Sequence, residues 1–349
     1  MMVIKHPSPV HSLSAFVSKP SHIRRLSAVM KARLSLPSSR QASSKSHALI
    51  YFIPGNPGVV EFYTDFLSSL RALLDKTESG TAHDIYGRNL LGFHDGDHEP
   101  FGPENLPFDL DAQVEGMWAD IASQRYGDTK DKPYDFVILI GHSIGAYIAV
   151  ETFHRQAMNP KANLNLQHGF LLFPTISYIA RSPSGLKMTA LQQSPYLPGV
   201  EENLHRIAKA LVYFLPQSTL EWLWASYLGF SAAAAATLAA WLKSRDGLWQ
   251  AIHLGRSELK LVGKDKWHDT FWDAVTTPGS GGVAPKFFFF YGKHDHWVDD
   301  SLRDEFIARH RERGHSPGRP SLEVDTGDIS HAFCTKEGKR RLLFTVFLA

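Results

Sequence analysis

The sequence predicts an α/β protein, with a mostly parallel twisted sheet, helices on both of its faces and a helical cap insertion. Short β-rich apolar runs alternate with segments whose apolar residues recur at helical spacing, which is typical of parallel strands joined by crossover helices. The alternation stops between Pro174 and Lys286, a region of helical character that holds six of the eight tryptophans. This break predicts an insertion above the sheet.

The first strands and helices follow from the pattern between residues 47 and 125. HALIYFI (47–53) is a predicted strand, and the PGNPG turn (54–58) ends it. Apolar residues at helical spacing predict a helix over 60–76 and another over 109–125. Between them, DIYGRNLLGF (84–93) is a weaker predicted strand.

The rest of the predicted sheet comes from later apolar runs. YDFVILI (134–140) is continuously apolar, as expected for a strand that is buried on both faces. A helix over 146–158 and the strand HGFLLFP (168–174) follow. After the insertion, KFFFFYG (286–292) and SLEV (321–324) complete the set of strands.

A serine stands between two glycines where the strand 134–140 meets its helix. The motif GHSIG (141–145) matches G-x-S-x-G, the nucleophile elbow of α/β-hydrolases. Such a tight turn holds the serine hydroxyl clear of the backbone, and side chains two positions away would collide, which requires glycine at both places. Ser143 is therefore the predicted nucleophile. The alternative is a plain strand-to-helix junction with an incidental serine.

A serine nucleophile needs a base, and the base needs an acid that orients it. In the chain order typical of this elbow, the acid follows a late strand and the histidine follows a still later one. Asp295 lies three residues past Gly292, just beyond the strand 286–292, and His331 follows the last predicted strand. We therefore predict Asp295 as the acid and His331 as the base.

Nearby acids and histidines compete for these roles. Asp299 and Asp300 stand where the next helix would begin, as capping residues do. His294 and His296 flank the predicted acid, but neither follows the final strand. The histidines of the basic segment RHRERGHSPGR (309–319) are typical of a solvated surface. None of these residues fits the two roles as well.

The oxyanion of an acyl-transfer reaction needs rigid backbone N–H donors. One predicted donor is the N–H of Ile144, the residue after the nucleophile. The other is the N–H of Asn56, directly after Gly55 in the PGNPG loop, because Pro57 has no N–H to donate. The alternative is that this loop is a Gly-Pro turn without a chemical role.

Other clusters of chemically active residues favour no further site. HDGDHE (94–99) contains two histidines and three carboxylates, but no matching ligand set occurs elsewhere, so we expect a solvated loop and no metal. The sequence His294-Asp295-His296 fails as a metal site for the same reason. Cys334 is the only cysteine, which rules out a disulfide within the chain, and we expect it to be a buried small side chain beside His331.

The insertion contains a long charge-free stretch. WLWASYLGFSAAAAATLAAWL (222–242) is 21 residues without a charge. Three interpretations are open: a bilayer-spanning helix, a buried lid, and a lid that also dips into a lipid monolayer. The many small and hydroxylated residues weaken the first, and the aromatic residues favour the third. We predict a cap that contacts a lipid monolayer or membrane surface through residues 206–242.

The charge is unevenly distributed along the chain, although the net charge is only +2. Residues 1–60 contain eight Lys or Arg and no Asp or Glu, which leaves 29 basic and 35 acidic residues for the rest. This mildly acidic body argues against nucleic acid as a partner. Residues 1–46 are rich in Ser and Pro without periodicity, so we expect a disordered basic tail; a transit peptide or an upstream start in the gene model are the alternatives.

Five motifs in this order and spacing resemble the lipid droplet-associated hydrolase family, a branch of the α/β-hydrolases. They are FIPGNPGVVEFYTDFL (52–67), LIGHSIGAYIA (139–149), FLLFPTI (170–176), YGKHDHW (291–297) and SHAF (330–333). The resemblance implies a Ser-Asp-His serine hydrolase at lipid droplets and the endoplasmic reticulum, acting on sterol esters or triacylglycerol. It implies Ser143 as nucleophile, Asp295 as acid and His331 as base. The family usually has edge strands before PGNPG, which this sequence does not predict.

These observations combine into one expected organisation and function. Residues 47–175 and 286–349 form the two parts of a hydrolase core, and 176–285 form the cap. We expect a carboxylic ester hydrolase that acts on neutral lipid esters at the cytosolic side of droplets and endoplasmic reticulum. We expect this enzyme to need no cofactor. The alternatives are a soluble small-ester or thioester hydrolase, a weakly active lipid-binding protein of the droplet surface, and import into an organelle through the basic segment 1–46.

Overall fold

The structure is a computed structural model that describes residues 30–40, 43–77, 80–161, 164–192, 200–264, 266–267, 271–272, 286–312, 320–327 and 329–336. These residues form a seven-stranded sheet. Its strands in chain order are β1 (Arg33–Leu36), β2 (Ser46–Ile53), β3 (Thr81–Arg88), β4 (Phe136–His142), β5 (Leu166–Leu172), β6 (Lys286–Tyr291) and β7 (Ser321–Val324). Across the sheet the order is β1-β3-β2-β4-β5-β6-β7, and every neighbouring pair is parallel except β1 with β3.

Helices cover both faces of this sheet. They are α1 (Thr64–Leu74), which a short 3-10 turn precedes, α2 (Leu110–Ser123), α3 (Ile144–Met158) and α9 (Asp300–Glu312). Helix α1 connects β2 to β3, which lies on the β1 side of β2. Helix α2 connects β3 to β4 and helix α3 connects β4 to β5, so both of these connections run towards β7. Right-handed connections therefore place α1 on one face and α2 with α3 on the opposite face. The contact between α2 and α3 agrees with this placement.

The helices of the insertion lie between β5 and β6. They are α4 (Pro183–Gln192), α5 (Val200–Tyr213), α6 (Gln217–Leu228), α7 (Ala232–Lys243) and α8 (Gly247–Leu261). The charge-free stretch 222–242 is divided between α6 and α7 by Gly229, which adopts a φ of +66°. No helix in the described ranges combines the length and the apolar character needed to cross a bilayer.

The α/β fold and most of its predicted elements are confirmed, with two differences. Strand β3 ends at Arg88, because Leu90 and Phe93 are apolar for another reason: both are buried in the core from the loop that follows. Within residues 1–46, where we expected no structure, Arg33–Leu36 form the antiparallel edge strand β1. This strand has four residues and its hydrogen-bonding partner lies about fifty residues later, so no local pattern reveals it. Residues 1–29 lie outside the described residues.

Candidate active site

Ser143 occupies a strained turn at the carboxyl end of the central strand β4. It lies between the end of β4 at His142 and the start of α3 at Ile144, with φ +55° and ψ −122°. A Cβ atom at Gly141 would lie 2.4 Å from the carbonyl oxygen of Gly145, and one at Gly145 would lie 2.3 Å from that of Ile53. Both glycines are therefore required by close backbone contacts, as the elbow motif predicts.

The predicted acid and base lie beside this serine. Nε2 of His331 is 2.9 Å from Oγ of Ser143, and Nδ1 of His331 is 2.7 Å from Oδ2 of Asp295. A buried carboxylate that only accepts makes Nδ1 the donor, so Nε2 carries the lone pair that accepts the serine proton. Asp295 is 4% exposed and its other oxygen accepts the N–H of Trp297. The arrangement can draw a proton from Ser143.

The competing residues lie elsewhere. Asp299 accepts the N–H groups of Ser301 and Leu302 at the start of α9, as a capping residue does. Nδ1 of His296 pairs with Oγ of Ser184, and Nδ1 of His310 donates to a carbonyl within α9. Asp300 pairs with Arg303, and His315 lies outside the described residues. Among the described acids and histidines, only His331 hydrogen-bonds to the hydroxyl of Ser143, and Asp295 bonds to His331.

The two predicted oxyanion donors lie at the ends of neighbouring strands. Ile144 begins α3, and Asn56 belongs to the loop after β2. A Cβ atom at Gly55 would be 3.0 Å from Cβ of Ser143, so this loop touches the nucleophile. Among the described residues, neither N–H finds a protein acceptor. Both donors are therefore free for a ligand beside Ser143, while their role in stabilising an oxyanion stays a prediction.

A largely apolar cavity of about 450 Å³ opens onto Ser143 and His331. The sheet side contributes the loops that carry the predicted catalytic residues, and α7, α8 and the segment between α6 and α7 contribute most of the opposite wall. Six of its apolar lining residues are Phe62, Ile179, Phe230, Leu238, Trp241 and Leu248. Such a wall suits the hydrocarbon part of an ester better than a charged substrate.

Two residues that sequence reasoning missed connect the base to the loop of Asn56. The carbonyl oxygen of His331 can only accept, so Nε2 of His142 donates to it over 2.9 Å. Nδ1 of His142 then accepts from the hydroxyl of Tyr63 at 2.7 Å, and the Tyr63 oxygen accepts the N–H of Gly55. Burial, and secondarily the charge of His331, hold the pKa of His142 well below its usual range. The motif treats His142 as any residue, so no sequence signal marked this chain of hydrogen bonds.

Sequence reasoning also missed Glu258, a carboxyl group on the cap helix α8 that lines the same cavity. The side-chain amide of Asn56 donates to it over 3.0 Å. Burial raises the pKa of Glu258 to about 8, although the hydrogen bond from Asn56 acts in the opposite direction. The helical region between β5 and β6 carries no motif that would mark this residue.

The loop 94–99 lies at the surface, where Gly96, Asp97 and Glu99 are exposed, and its half-buried residues pack against the start of α8. Asp95 and His98 approach Asp246 at the start of α8. The oxygens of Asp95 accept the backbone N–H groups of Arg245 and Asp246, and Nε of Arg245 donates to Asp246. The loop therefore holds the junction of α7 and α8, and these carboxylates already have partners. Cys334 is buried, as expected, and lines the cavity.

Comparisons with known proteins agree with this architecture. Residues 46–334 match the family described as lipid-droplet associated hydrolase. The lipid droplet-associated hydrolase of Rattus norvegicus is 27% identical over 278 residues, which are 76% of this chain and 77% of that protein. Its counterpart in Dictyostelium discoideum is 27% identical over 302 residues, 84% of each chain. The solved peroxisomal alpha-beta-hydrolase Lpx1 from Saccharomyces cerevisiae matches 90% of this chain and 79% of its own, with 13% identity and a TM-score of 0.53.

Proposed function

Because this chain belongs to the lipid droplet-associated hydrolase family, we propose that it is a serine hydrolase that cleaves carboxylic esters of neutral lipids at Ser143. The observation that carries the proposal is the continuous hydrogen-bonded path from Ser143 through His331 to Asp295 at the mouth of an apolar cavity. Sterol esters and acylglycerols are uncharged and mostly hydrocarbon, which is the chemistry that this cavity accepts.

The reaction proceeds in two steps. Nε2 of His331 takes the proton of Ser143 as the serine oxygen bonds to the ester carbonyl carbon, and the N–H groups of Asn56 and Ile144 stabilise the oxyanion. The C–O bond to the alcohol breaks, the alcohol leaves with the proton from His331, and the acyl group stays on Ser143. His331 then takes a proton from a water molecule whose oxygen bonds to the acyl carbon. The bond between that carbon and Oγ of Ser143 breaks, Ser143 regains its proton from His331, and the fatty acid leaves. Asp295 keeps the imidazole in the required tautomer throughout.

We further propose that the cap contacts the phospholipid monolayer of a droplet through an exposed apolar surface on α5, α6 and the turn between them. We call it the cap surface; its exposed large apolar side chains are Ile207, Leu211, Tyr213, Phe214, Leu215, Trp222, Tyr227 and Leu228. Ile207, Leu211 and Phe214 recur at helical spacing, so they form one stripe. Phe214 is 83% exposed, an unusual position for so large an apolar side chain.

The proposed lipid contact is smaller than the segment 206–242 that we predicted from the sequence, because it excludes helix α7. Helix α7 is unsuited to lipid contact, because Ala234, Ala239 and Trp241 are buried against the protein. The relatives are named for droplet association, and aromatic side chains at a water–lipid boundary are the chemistry such a surface needs. We therefore propose that the protein acts at the cytosolic surface of droplets and the endoplasmic reticulum. Import through residues 1–46 is the alternative for localisation.

The test of the hydrolase function uses a fluorophosphonate probe, which bonds covalently to an activated serine. We expect labelling of the wild type and of Ser123→Ala, whose serine lies at the end of α2, and none of Ser143→Ala. The same three proteins are assayed on cholesteryl oleate, triolein and a short water-soluble ester. A wild type that is neither labelled nor active on any of these esters refutes the hydrolase function. Activity confined to the short ester refutes the neutral lipid substrate alone.

A further inference from the structure

Glu258 is a carboxyl group in the reaction cavity for which the mechanism above has no use. It belongs to the cap helix α8, is 6% exposed and lines the cavity with Ser143 and His331. Nδ2 of Asn56 donates to its Oε1 over 3.0 Å and to the carbonyl oxygen of Ala251 over 3.0 Å. These hydrogen bonds tie helix α8 to Asn56. The residue before Asn56, Gly55, packs against the nucleophile Ser143.

No positive charge faces this carboxyl group within the described part of the chain. The Lys and Arg side chains of the helices packed against α8 have other partners. On α5, Arg206 donates to Asn203 and Lys209 donates to the carbonyl of Ser244, and on α7, Lys243 donates to that of Val212. On the side of α2, the acids Asp111 and Glu115 pair with Arg155 of α3. These charges are therefore engaged with groups other than Glu258.

The charges of the other groups around the cavity do not act on Glu258, because only burial and the hydrogen bond from Asn56 shift its pKa. The titratable side chains that line it with Glu258 are Tyr63, His142, His296, His331 and Cys334. Burial lowers the pKa of His142 and of His296, which keeps both rings neutral near neutral pH. A buried carboxyl group without a cation is more stable when it is protonated, and the pKa of Glu258 is raised to about 8 for this reason.

We propose that Glu258 is a positioning residue: as an uncharged carboxyl group it ties the cap helix α8 to the loop of Asn56 and so holds the backbone N–H of Asn56 in place for the oxyanion. The proposal rests on the hydrolase function proposed above. The contact makes the cap part of the catalytic geometry, because a shift of α8 would move the Asn56 loop with it. Oxyanion donors act only when they are held rigidly, so this tie controls the rate of acyl transfer.

The charge state of Glu258 then sets an alkaline limit to activity. Below a pH of about 8 the group is protonated and neutral, and above it the group ionises. The resulting carboxylate lies in the same cavity as the oxyanion, and the repulsion between two negative charges raises the energy of the transition state. Activity should therefore fall as the pH rises above about 8.

The experiment compares kcat and KM of the wild type, Glu258→Gln and Glu258→Leu on a short soluble ester from about pH 6 to about pH 10. Glutamine keeps an oxygen that accepts from Asn56 but cannot ionise, so its alkaline decline should disappear. Leucine removes the acceptor, and we expect kcat to fall about 10- to 100-fold at every pH with a smaller change in KM. The glutamine variant should recover most of that loss.

The matched control is Glu151→Gln. Glu151 is also buried, but it lies on α3, pairs with Trp267 and does not line the cavity, so the pH profile of its variant should match the wild type. An alkaline decline in Glu258→Gln equal to that of the wild type overturns the proposal, as does a leucine variant with the kcat of the wild type. A wild type that neither reacts with a fluorophosphonate nor hydrolyses any of the esters instead overturns the hydrolase function, and the proposal with it.

Discussion

The loops at the carboxyl ends of the strands, which we call the sheet edge, and the cap contribute different chemistry to the same cavity. The sheet edge supplies Ser143, Asp295 and His331, which lie after β4, β6 and β7 and are joined by hydrogen bonds. The cap supplies an apolar wall, one carboxyl group and, on its outer side, several exposed aromatic residues. The proposed function therefore divides the roles: the sheet edge performs the reaction, and the cap selects the molecules that reach it.

The largest effect should come from the sheet edge. Asp295→Asn should lower kcat by about 10⁴-fold, because the amide favours the wrong tautomer of His331. The matched control is Asp299→Asn, which leaves an asparagine cap on α9 and should keep the activity of the wild type. The kcat of both variants is measured on a short soluble ester. Equal rates for the two variants would show that Asp295 does not orient the base.

In the cap, Glu258 should make the free energy of unfolding depend on pH. The folded protein raises the pKa of Glu258 from 4.5 to about 8, so its protonation stabilises the fold at low pH. This contribution is lost as the pH rises, by up to about 1.4 kcal/mol per pH unit until the pH passes about 8. Urea unfolding should show this slope in the wild type and in Glu151→Gln, and a smaller one in Glu258→Gln. Identical slopes in all three would mean that Glu258 is ionised in the folded state.

The outer side of the cap should affect lipid binding without affecting the chemistry. The double variant Leu211→Asp, Phe214→Asp should bind triolein droplets coated with phosphatidylcholine about 100-fold more weakly, because two large apolar contacts with the lipid are lost. Hydrolysis of a short soluble ester should not change. Met158→Asp, at an equally exposed apolar position on α3, is the control and should still float with the droplets. Unchanged flotation of the double variant would rule out the cap surface as the lipid contact.

The smallest effect should come from the hydrogen bonds that join the sheet edge to the loop of Asn56. Tyr63→Phe removes the hydroxyl between Gly55 and His142, and we expect kcat to fall about 5- to 10-fold with little change in KM. Tyr126→Phe, on a ring that stacks on His47 away from the cavity, should behave as the wild type. A change confined to KM would indicate that Tyr63 shapes the cavity and does not position the base.

The sequence alone predicted the sheet edge because its signals are local. A glycine on each side of Ser143 marks a tight turn, and parallel strands place their carboxyl ends at one edge, which brings Asp295 and His331 towards the serine. The α/β fold followed from the alternation of strands and helices, and residues such as Phe287 and Phe289 are buried as their apolar run implied.

Only the tertiary structure decided the features that depend on distant contacts. Strand β1 exists because it pairs with β3, and His142 acts between Tyr63 and the carbonyl of His331, which lies 189 residues away. Glu258 becomes a neutral group because the folded chain buries it beside Asn56, at a separation of 202 residues. Burial and charge compensation are properties of the packed molecule, so the sequence could place the predicted reacting groups but not the residues that hold them.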